Sequence, residues 1–155
     1  MVNNKYSKLV KYTRSGEEYY IDFPIDNQTF HMGFQLVEGE DPELSKTEYY
    51  NVWINLYNKR KDMERNENLC LSTGLNPIKT VLIARECFKA IEAKIIDQMK
   101  YNHKDVVIYC HWMDSRRRDA YYKVLSKWGY KYEHIPLESN RVIMKKFKYK
   151  DYYGK

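Results

Sequence analysis

The most chemically capable residues of this chain follow an apolar run in its second half. His111 comes directly after residues 106–110, whose sequence Val-Val-Ile-Tyr-Cys predicts a buried strand. Open α/β sheets bind ligands outside the carboxyl ends of their strands, so His111 has the position and chemistry of a general base or an anion contact. The simpler interpretation, in which His111 and Trp112 only close the strand, stays open.

Three consecutive arginines, Arg116, Arg117 and Arg118, open a helix predicted from Ser115 onward. Positive charge in the first turn of a helix opposes the helix dipole, so helix stability alone does not favour this placement. The cluster therefore indicates an anionic partner, either a phosphate or an acidic protein surface. Pairing with the acidic loop at 38–48 or with Asp119 is the alternative.

A short turn before the central helix is the second place where an anion could bind. The sequence Thr73-Gly74-Leu75-Asn76 precedes Pro77, and backbone N–H groups at a helix N-terminus bind anions. A plain strand-to-helix turn explains the same residues equally well.

Metal chemistry is not predicted for this chain. The three cysteines form no Cys-x-x-Cys pair and lie in apolar runs, which is typical of buried, reduced thiols. The histidines at 31, 103 and 134 have no ligand-like spacing to carboxylates or cysteines. We therefore expect neither a metal site nor a disulfide framework.

Basic charge is concentrated at the two ends of the chain. The net charge is +6; residues 1–15 carry +4, residues 141–155 carry +5, and the segment between them carries −3. The C-terminal lysines alternate with aromatic residues, as in nucleic-acid-binding segments, although an arm that packs onto a neighbouring subunit would have the same composition. These lysines are Lys145, Lys146, Lys148 and Lys150.

Length and composition indicate one globular domain. A chain of 155 residues fits a single hydrophobic core. We divide it into a basic N-terminal arm at 1–15, one domain at 16–147 and a basic, Tyr-rich tail at 148–155. We expect no membrane contact, because the first residues form no apolar signal core and no stretch has the ~20 apolar residues of a membrane helix.

Alternating apolar and polar residues predict three strands in the first half of the chain. Residues 29–37 place Phe30 and Phe34 on one face, with polar or small residues between them. Residues 17–25 and 49–57 are similarly rich in strand-forming residues.

Strands and helices alternate in the second half. The predicted elements are a strand at 69–73, a helix at 77–99, a strand at 106–110, a helix at 115–128 closed by Gly129, and a hairpin of 130–135 with 142–147. Two strands joined by a helical crossover are parallel, so the strands at 69–73 and 106–110 are expected to run parallel with a right-handed crossover. The predicted fold is α+β or α/β, with a mixed, mostly antiparallel sheet, a strand-helix-strand-helix core and a C-terminal hairpin.

This order of elements resembles the GNAT acyltransferase superfamily over residues 49–147. In that family a fourth strand leads into a pyrophosphate loop and a long helix, followed by a fifth strand, a helix ending in a Tyr-x-x-x-Gly-Phe type sequence and a closing hairpin. The matching helix end here is Trp128-Gly129-Tyr130. The resemblance implies acetyl-CoA as cofactor and two sets of site residues. The loop would be Thr73, Gly74, Leu75, Asn76 and Ile78, and the proton-transfer candidates are Tyr121, Tyr122 and His111.

The chain departs from the family pattern at the residues that catalysis uses. The family loop is Arg/Gln-x-x-Gly-x-Gly/Ala, whereas Gly74 has no second glycine and Pro77 removes a donor N–H. When the two sequences are aligned on Gly129, Leu125 occupies the position of the family's general-acid tyrosine, and Arg118 occupies the position of its upstream asparagine. These departures predict an impaired cofactor loop.

A second similarity is to small phage and bacterial proteins with a Gly-Asn turn, a Val-rich helix and an arginine leading to a tyrosine. Matching residues are Thr73-Gly74-Leu75-Asn76, Thr80-Val81-Leu82, and Arg118 with Tyr121 and Tyr122. The leading hypothesis is a phage-encoded, non-enzymatic GNAT-like structural or interaction subunit, a virion or assembly component without cofactor. Its arms and the three arginines would contact neighbouring subunits or nucleic acid.

This hypothesis implies an oligomer or larger assembly in the host cytoplasm or in a virion. A divergent acyl-CoA N-acyltransferase is the alternative hypothesis. An inhibitor or adaptor that binds a host protein is a further one.

Overall fold

The computed structural model of the protein describes residues 5–15, 17–25, 28–57, 77–112 and 115–154. Its strands are β1 (Lys11–Thr13), β2 (Glu18–Ile25), β3 (Gln28–Leu36), β4 (Thr47–Tyr57), β5 (Asp105–Cys110), β6 (Lys131–Glu133) and β7 (Val142–Phe147). Its helices are α1 (Pro77–Asn102), α2 (Ser115–Leu125) and α3 (Tyr149–Tyr152), with 3₁₀ turns at Ser7–Leu9, Pro42–Ser45 and Ser126–Trp128.

The strands form a 7-stranded sheet in the order β1-β2-β3-β4-β5-β7-β6. β4 and β5 run parallel, whereas β1 with β2, β5 with β7 and β6 with β7 are antiparallel. The expected mixed α+β fold with a mostly antiparallel sheet is therefore confirmed. The C-terminal hairpin is present as β6 and β7.

The strand that runs parallel to β5 in the described sheet is β4. Thr47 of β4 lies opposite Asp105, and Val52 lies opposite Cys110. β7 occupies the other side of β5, so both edges of this strand are paired. The segment 69–73, which is predicted to run parallel to β5, lies outside the described residues. A helical crossover requires a parallel pair but does not specify which earlier strand forms it.

The described residues divide into two compact units, the first drawn from residues 1–34 and 53–95. Its core is formed where β3 faces α1. Phe30, Met32 and Phe34 are at most 1% exposed, as the period-two pattern predicts. The ring of Phe34 lies 5.0 Å from the ring of Phe88 on α1. Each such side chain stabilises the fold by about 1.5–3 kcal/mol through burial.

The N-terminal segment packs into this first unit. β1 pairs with β2 in a register that places Tyr12 opposite Tyr19. Tyr6 is 3% exposed, and its ring meets that of Phe23 edge-on at 5.2 Å. The described part of the predicted arm is therefore folded, and its aromatic residues explain how it docks.

The second unit, drawn from residues 35–52 and 96–155, is built around β5. β5 has a paired neighbour on each side. The whole run from Val106 to Cys110 is buried, so side chains on both faces of this strand are covered. An apolar cluster surrounds it on one face and joins the strands to the segment that follows β6. Its buried members are Tyr49, Val107, Tyr109, Ile135 and Val142.

The C-terminal residues of the second unit are also docked. The backbone N–H of Tyr149 donates to Asp105 Oδ1 over 2.9 Å, and the Tyr153 hydroxyl donates to the carbonyl of Ile96 over 2.8 Å. The ring of Tyr149 lies 5.1 Å from His103. The described part of the tail at 148–154 is thus a short helix held by side-chain contacts.

The α2 helix ends at a left-handed glycine, as predicted. It continues as the Ser126–Trp128 turn, and Gly129 has a φ of 90°. This conformation is the one that favours glycine at a helix C-terminus. Among the described residues, no helix is long and apolar enough to cross a membrane.

Candidate functional site

An open recess lies in the second unit, at the carboxyl end of β5. Its volume is about 450 Å³. In the part of the chain that the structure describes, its lining comes from the ends of β5, β6 and β7 and includes no carboxylate side chain. The lining residues are His111, Trp112, Tyr132, His134, Asn140 and Arg141.

Strand register brings these residues together. Ile143 of β7 lies opposite Cys110 of β5 on one side and opposite Tyr132 of β6 on the other. β7 runs antiparallel to both neighbours, so the residue before it, Arg141, reaches the same end of the sheet as His111. The recess is therefore a direct result of β7 lying between β5 and β6.

Tyr132 forms the centre of a cation–aromatic cluster. Its ring centroid is 5.0 Å from that of Trp112. The guanidinium carbons of Arg141 and Arg118 lie 5.4 Å and 6.0 Å from the same centroid. These distances are within the range of cation–π attraction, which orients both arginines without neutralising them.

A second recess adjoins the first and shares the Tyr132 side chain. It has a volume of about 390 Å³ and is lined by Arg118, Asp119, Tyr122, Tyr132 and Ile143. Arg118 donates from Nε to Asp119 Oδ1 at 3.1 Å, an exposed contact that the sequence predicted as one of two alternatives. Tyr132 therefore separates two depressions that each contain a guanidinium and an aromatic ring.

His111 is held at the first recess by Glu138. Its Nε2 lies 3.2 Å from Glu138 Oε1, and the Tyr109 hydroxyl donates to Glu138 Oε2 over 3.4 Å. Burial, together with the Glu138 carboxylate, raises the pKa of Tyr109 well above its ordinary value, so the phenol remains a donor. The Tyr109 hydroxyl thus orients Glu138, and Glu138 orients the imidazole.

The predicted proton-transfer residues are distributed over both recesses. His111 borders the first, and Tyr122, 41% exposed, lines the second. Tyr121 lines neither. Leu125, which replaces the family's general-acid tyrosine, is 7% exposed.

The predicted anion contacts do not act as one group. Arg118 lines the second recess, Arg116 is exposed outside both, and the side chain of Arg117 is not described. Lys145 donates to the carbonyl of Trp128 over 2.8 Å. Lys146 lies 3.8 Å from Asp105, an exposed pair of small energetic value. Lys148 and Lys150 are exposed.

The predicted cofactor loop cannot be compared with these recesses. Thr73, Gly74, Leu75 and Asn76 lie outside the described residues. Ile78 lies on α1, and its side chain is not described. A pyrophosphate role for the loop stays a prediction.

Sequence reasoning found His111 of the first recess and Arg118 of the second, but it missed the other residues of the first recess. Two of them, Tyr132 and Arg141, are far from His111 in the sequence and belong to no motif. Trp112 is adjacent to His111 but is also outside any motif. The available signal was the predicted hairpin, which returns Arg141 to the end of the sheet that His134 also reaches. The insertion of β7 beside β5 was not predictable from these residues.

A second histidine cluster lies in the first unit and was not predicted. His31 on β3 binds Asp22 Oδ1 through Nδ1, and its Nε2 lies 3.7 Å from Glu18 Oε2. Its ring stacks on Tyr20 at 5.4 Å and lies 4.6 Å from the Trp53 ring. Burial disfavours the imidazolium, but the two carboxylates outweigh burial and raise the pKa of His31 to about 9.

Gly33 makes this second cluster possible. A Cβ at this position would lie 1.9 Å from Glu18 Oε2 and 2.7 Å from Trp53 Nε1. The carboxylate and the indole therefore occupy the space that any larger residue would need. The contacts of His31 with Asp22 and Glu18 make this cluster an ion-pair network. No group of His, Cys, Asp and Glu side chains in the described part of the chain could hold a metal ion.

Comparisons of the chain with protein-family models, with curated proteins and with solved structures give no match.

Proposed function

We propose that this protein is a non-enzymatic interaction subunit of GNAT-like architecture, encoded by a phage, that binds an anionic partner at the recesses around Tyr132. The observation that carries the proposal is the composition of the first recess. The described residues that line it supply an arginine, two imidazoles and two aromatic rings, and none of these residues is a carboxylate.

The charge of Arg141 supports anion binding. Its guanidinium is exposed, and none of the described carboxylates forms an ion pair with it. Its position over Tyr132 holds the planar donor group toward the recess. Charge-assisted hydrogen bonds from such a group are about twice as strong as neutral ones.

The order of elements supports the GNAT-like architecture. β4, α1, β5, α2 and the β6–β7 hairpin follow the family's succession of strand, long helix, strand, helix and hairpin. The absence of catalysis is supported by Leu125, whose buried aliphatic side chain supplies no acid at the position of the family tyrosine.

Binding of inorganic polyphosphate tests the anion site. Arg141→Gln removes one charge from the recess, and we expect it to weaken polyphosphate binding about tenfold, equivalent to the loss of one charge-assisted contact of about 1.4 kcal/mol. Arg14→Gln is the matched control, because Arg14 is an exposed arginine of the first unit. Equal weakening by both variants would reduce the proposal to general charge attraction.

The subunit role is tested by the mass of the native protein in solution and in the presence of polyphosphate. The proposal expects an oligomer or incorporation into a larger assembly. A strict monomer under all conditions would contradict it. Such a monomer would leave the inhibitor or adaptor role as the better description.

A divergent acyl-CoA N-acyltransferase is the second candidate, and the His111–Glu138 pair favours it. An imidazole oriented by a carboxylate beside an open recess has the geometry of a general base. A thermal-shift titration with acetyl-CoA separates the two functions. A ligand at 100 times its dissociation constant stabilises the folded state by about 2.7 kcal/mol. Clear stabilisation would overturn the non-enzymatic proposal.

A further inference from the structure

We infer that the anionic partner of the two recesses is a single-stranded nucleic acid, with neighbouring bases on the two sides of the Tyr132 side chain and the phosphates on Arg118 and Arg141. This inference rests on the proposed function, since it names the partner of the same surface. It assigns a binding role to Tyr132 and Trp112, which anion binding alone would not require.

The pairing of rings with guanidinium groups is the first argument. Single strands are bound by aromatic side chains that stack on bases and by cations that contact the backbone. The ring centroid of Tyr132 lies 5.0 Å from that of Trp112. It lies 5.4 Å from the guanidinium carbon of Arg141 and 6.0 Å from that of Arg118. An inorganic anion or an acidic peptide would use the arginines but would make no stacking contact with the two aromatic rings.

The duplication of the recess is the second argument. The two depressions share one wall, and each brings a guanidinium and a ring. Tyr132 lies on β6, the last strand of the sheet order, and no other strand among the described residues pairs with its outer side. A single-stranded nucleic acid that passes along this edge would place consecutive nucleotides in consecutive recesses, whereas a free nucleotide would occupy only one recess.

The concave shape is the third argument, because it excludes a duplex. Bases in a duplex present only their edges in the grooves, and their faces are hidden by stacking. Insertion beside Tyr132 therefore requires unpaired bases. Asn140 and His134 line the first recess and offer hydrogen-bond donors and acceptors for the exposed base edges.

The experiment is a fluorescence-anisotropy titration of the full chain with a labelled oligothymidylate at low salt. Tyr132→Leu removes the ring, and we expect binding to weaken about tenfold because base stacking is lost. Tyr132→Phe keeps the ring and should bind like the wild type. Circular dichroism and the melting temperature of each variant establish that it is folded.

Tyr101→Leu is the matched control for the loss of a tyrosine. Tyr101 is 68% exposed, and the Nζ of Lys100 lies 5.2 Å from its ring centroid, so it is also a tyrosine beside a cation. It lies on α1 and lines neither recess. We expect its substitution to leave oligothymidylate binding unchanged. Equal losses in the Tyr101 and Tyr132 variants would overturn the inference.

Salt dependence measures the phosphate contacts. The logarithm of the binding constant for a single strand falls with the logarithm of salt concentration by about 0.7 for each neutralised phosphate. Arg141→Gln should therefore lower this slope by about 0.7, whereas Tyr132→Leu should lower affinity without changing the slope. An unchanged slope for Arg141→Gln would contradict the assigned phosphate contact.

Competition separates the nucleic acid from other partners. Thymidine monophosphate and a duplex of the same length should displace the labelled strand far less well than unlabelled oligothymidylate. Equal competition by either one, or by polyglutamate, would overturn the inference. Arg141-dependent binding of polyphosphate without binding of oligothymidylate would also overturn it, while leaving the proposed function intact. If neither polyphosphate nor oligothymidylate binds, both the inference and the proposed function are overturned.

Discussion

Two histidines of this protein each lie beside a glutamate, but they differ in their access to solvent. The side chain of His31 is 5% exposed and contacts two carboxylates. The side chain of His111 is 47% exposed and pairs with Glu138 at the edge of an open recess. The same pair of residue types is therefore buried in one unit and accessible in the other.

The difference in burial predicts a difference in role. Breaking a buried ion pair leaves an uncompensated charge and costs several kcal/mol, whereas an exposed pair contributes about 0–1 kcal/mol. The His31 cluster should therefore determine the stability of the fold, and the His111 recess should determine binding. The predictions below test this contrast from the largest expected effect to the smallest.

The pH dependence of stability is expected to follow His31. Its pKa is about 9 in the folded protein and 6.5 without the surrounding structure. The folded value is the higher one, so the stabilisation is complete below pH 6.5 and is lost as pH rises through about 9. The loss should approach about 3 kcal/mol, because one pKa unit corresponds to about 1.4 kcal/mol.

Urea unfolding between neutral pH and pH 10 measures this loss. The His31→Gln variant should lose this pH dependence of the free energy of unfolding, and the His111→Gln variant should retain it. Identical pH profiles for the wild type and His31→Gln would contradict the assignment.

Gly33→Ala tests the packing of the same cluster. The new methyl group meets Glu18 Oε2 and Trp53 Nε1 at distances that real contacts do not allow, and moving Glu18 would take its charge away from His31. We expect a loss of about 2 kcal/mol in the free energy of unfolding, as for other overpacked sites.

Gly39→Ala is the control, since its new Cβ would lie 3.6 Å from Leu44 in ordinary van der Waals contact. A Gly33→Ala protein as stable as the Gly39→Ala protein would show that the cluster adapts without cost.

Substitution of Glu138 tests the hydrogen-bonded side of the recess. Glu138→Ala leaves the Tyr109 hydroxyl without its acceptor and releases His111. The expected cost is about 1 kcal/mol, the usual value of one net hydrogen bond. Glu133→Ala, at an exposed position of β6, should cost almost nothing when both are measured by chemical unfolding.

His111→Gln is expected to have the smallest effect on stability. Its imidazole is largely exposed, so the free energy of unfolding at neutral pH should change by less than about 0.5 kcal/mol. A loss of 2 kcal/mol or more would place His111 with His31 as a structural residue and remove the contrast between the two clusters.

The sequence predicted the helices and strands of this fold better than it predicted which strands pair with each other. Alternation along β3 places its large apolar side chains on one face, and a one-residue error in register would turn that face away from α1. Such patterns are local and can be read directly. The pairing of β5 with β4 joins residues more than 50 positions apart, and many strand orders satisfy the same local patterns.

The sites were predictable to different degrees for the same reason. His111 was identified because its position relative to β5 is local. Tyr132 was not, because it reaches the recess only through the placement of β7 between β5 and β6. His31 lies on the face of β3 that alternation marks as polar, and nothing local shows that Glu18 and Asp22 of β2 surround it.

The central claim is that the residues around Tyr132 bind the partner while the residues around His31 hold the fold. Oligothymidylate binding by the wild type, Arg141→Gln and His31→Gln, measured at neutral pH and at a temperature where all three are folded, tests it most directly. Arg141→Gln should bind about tenfold more weakly with unchanged stability, and His31→Gln should bind normally with reduced stability. Normal binding by Arg141→Gln, or weakened binding by folded His31→Gln, would contradict the account.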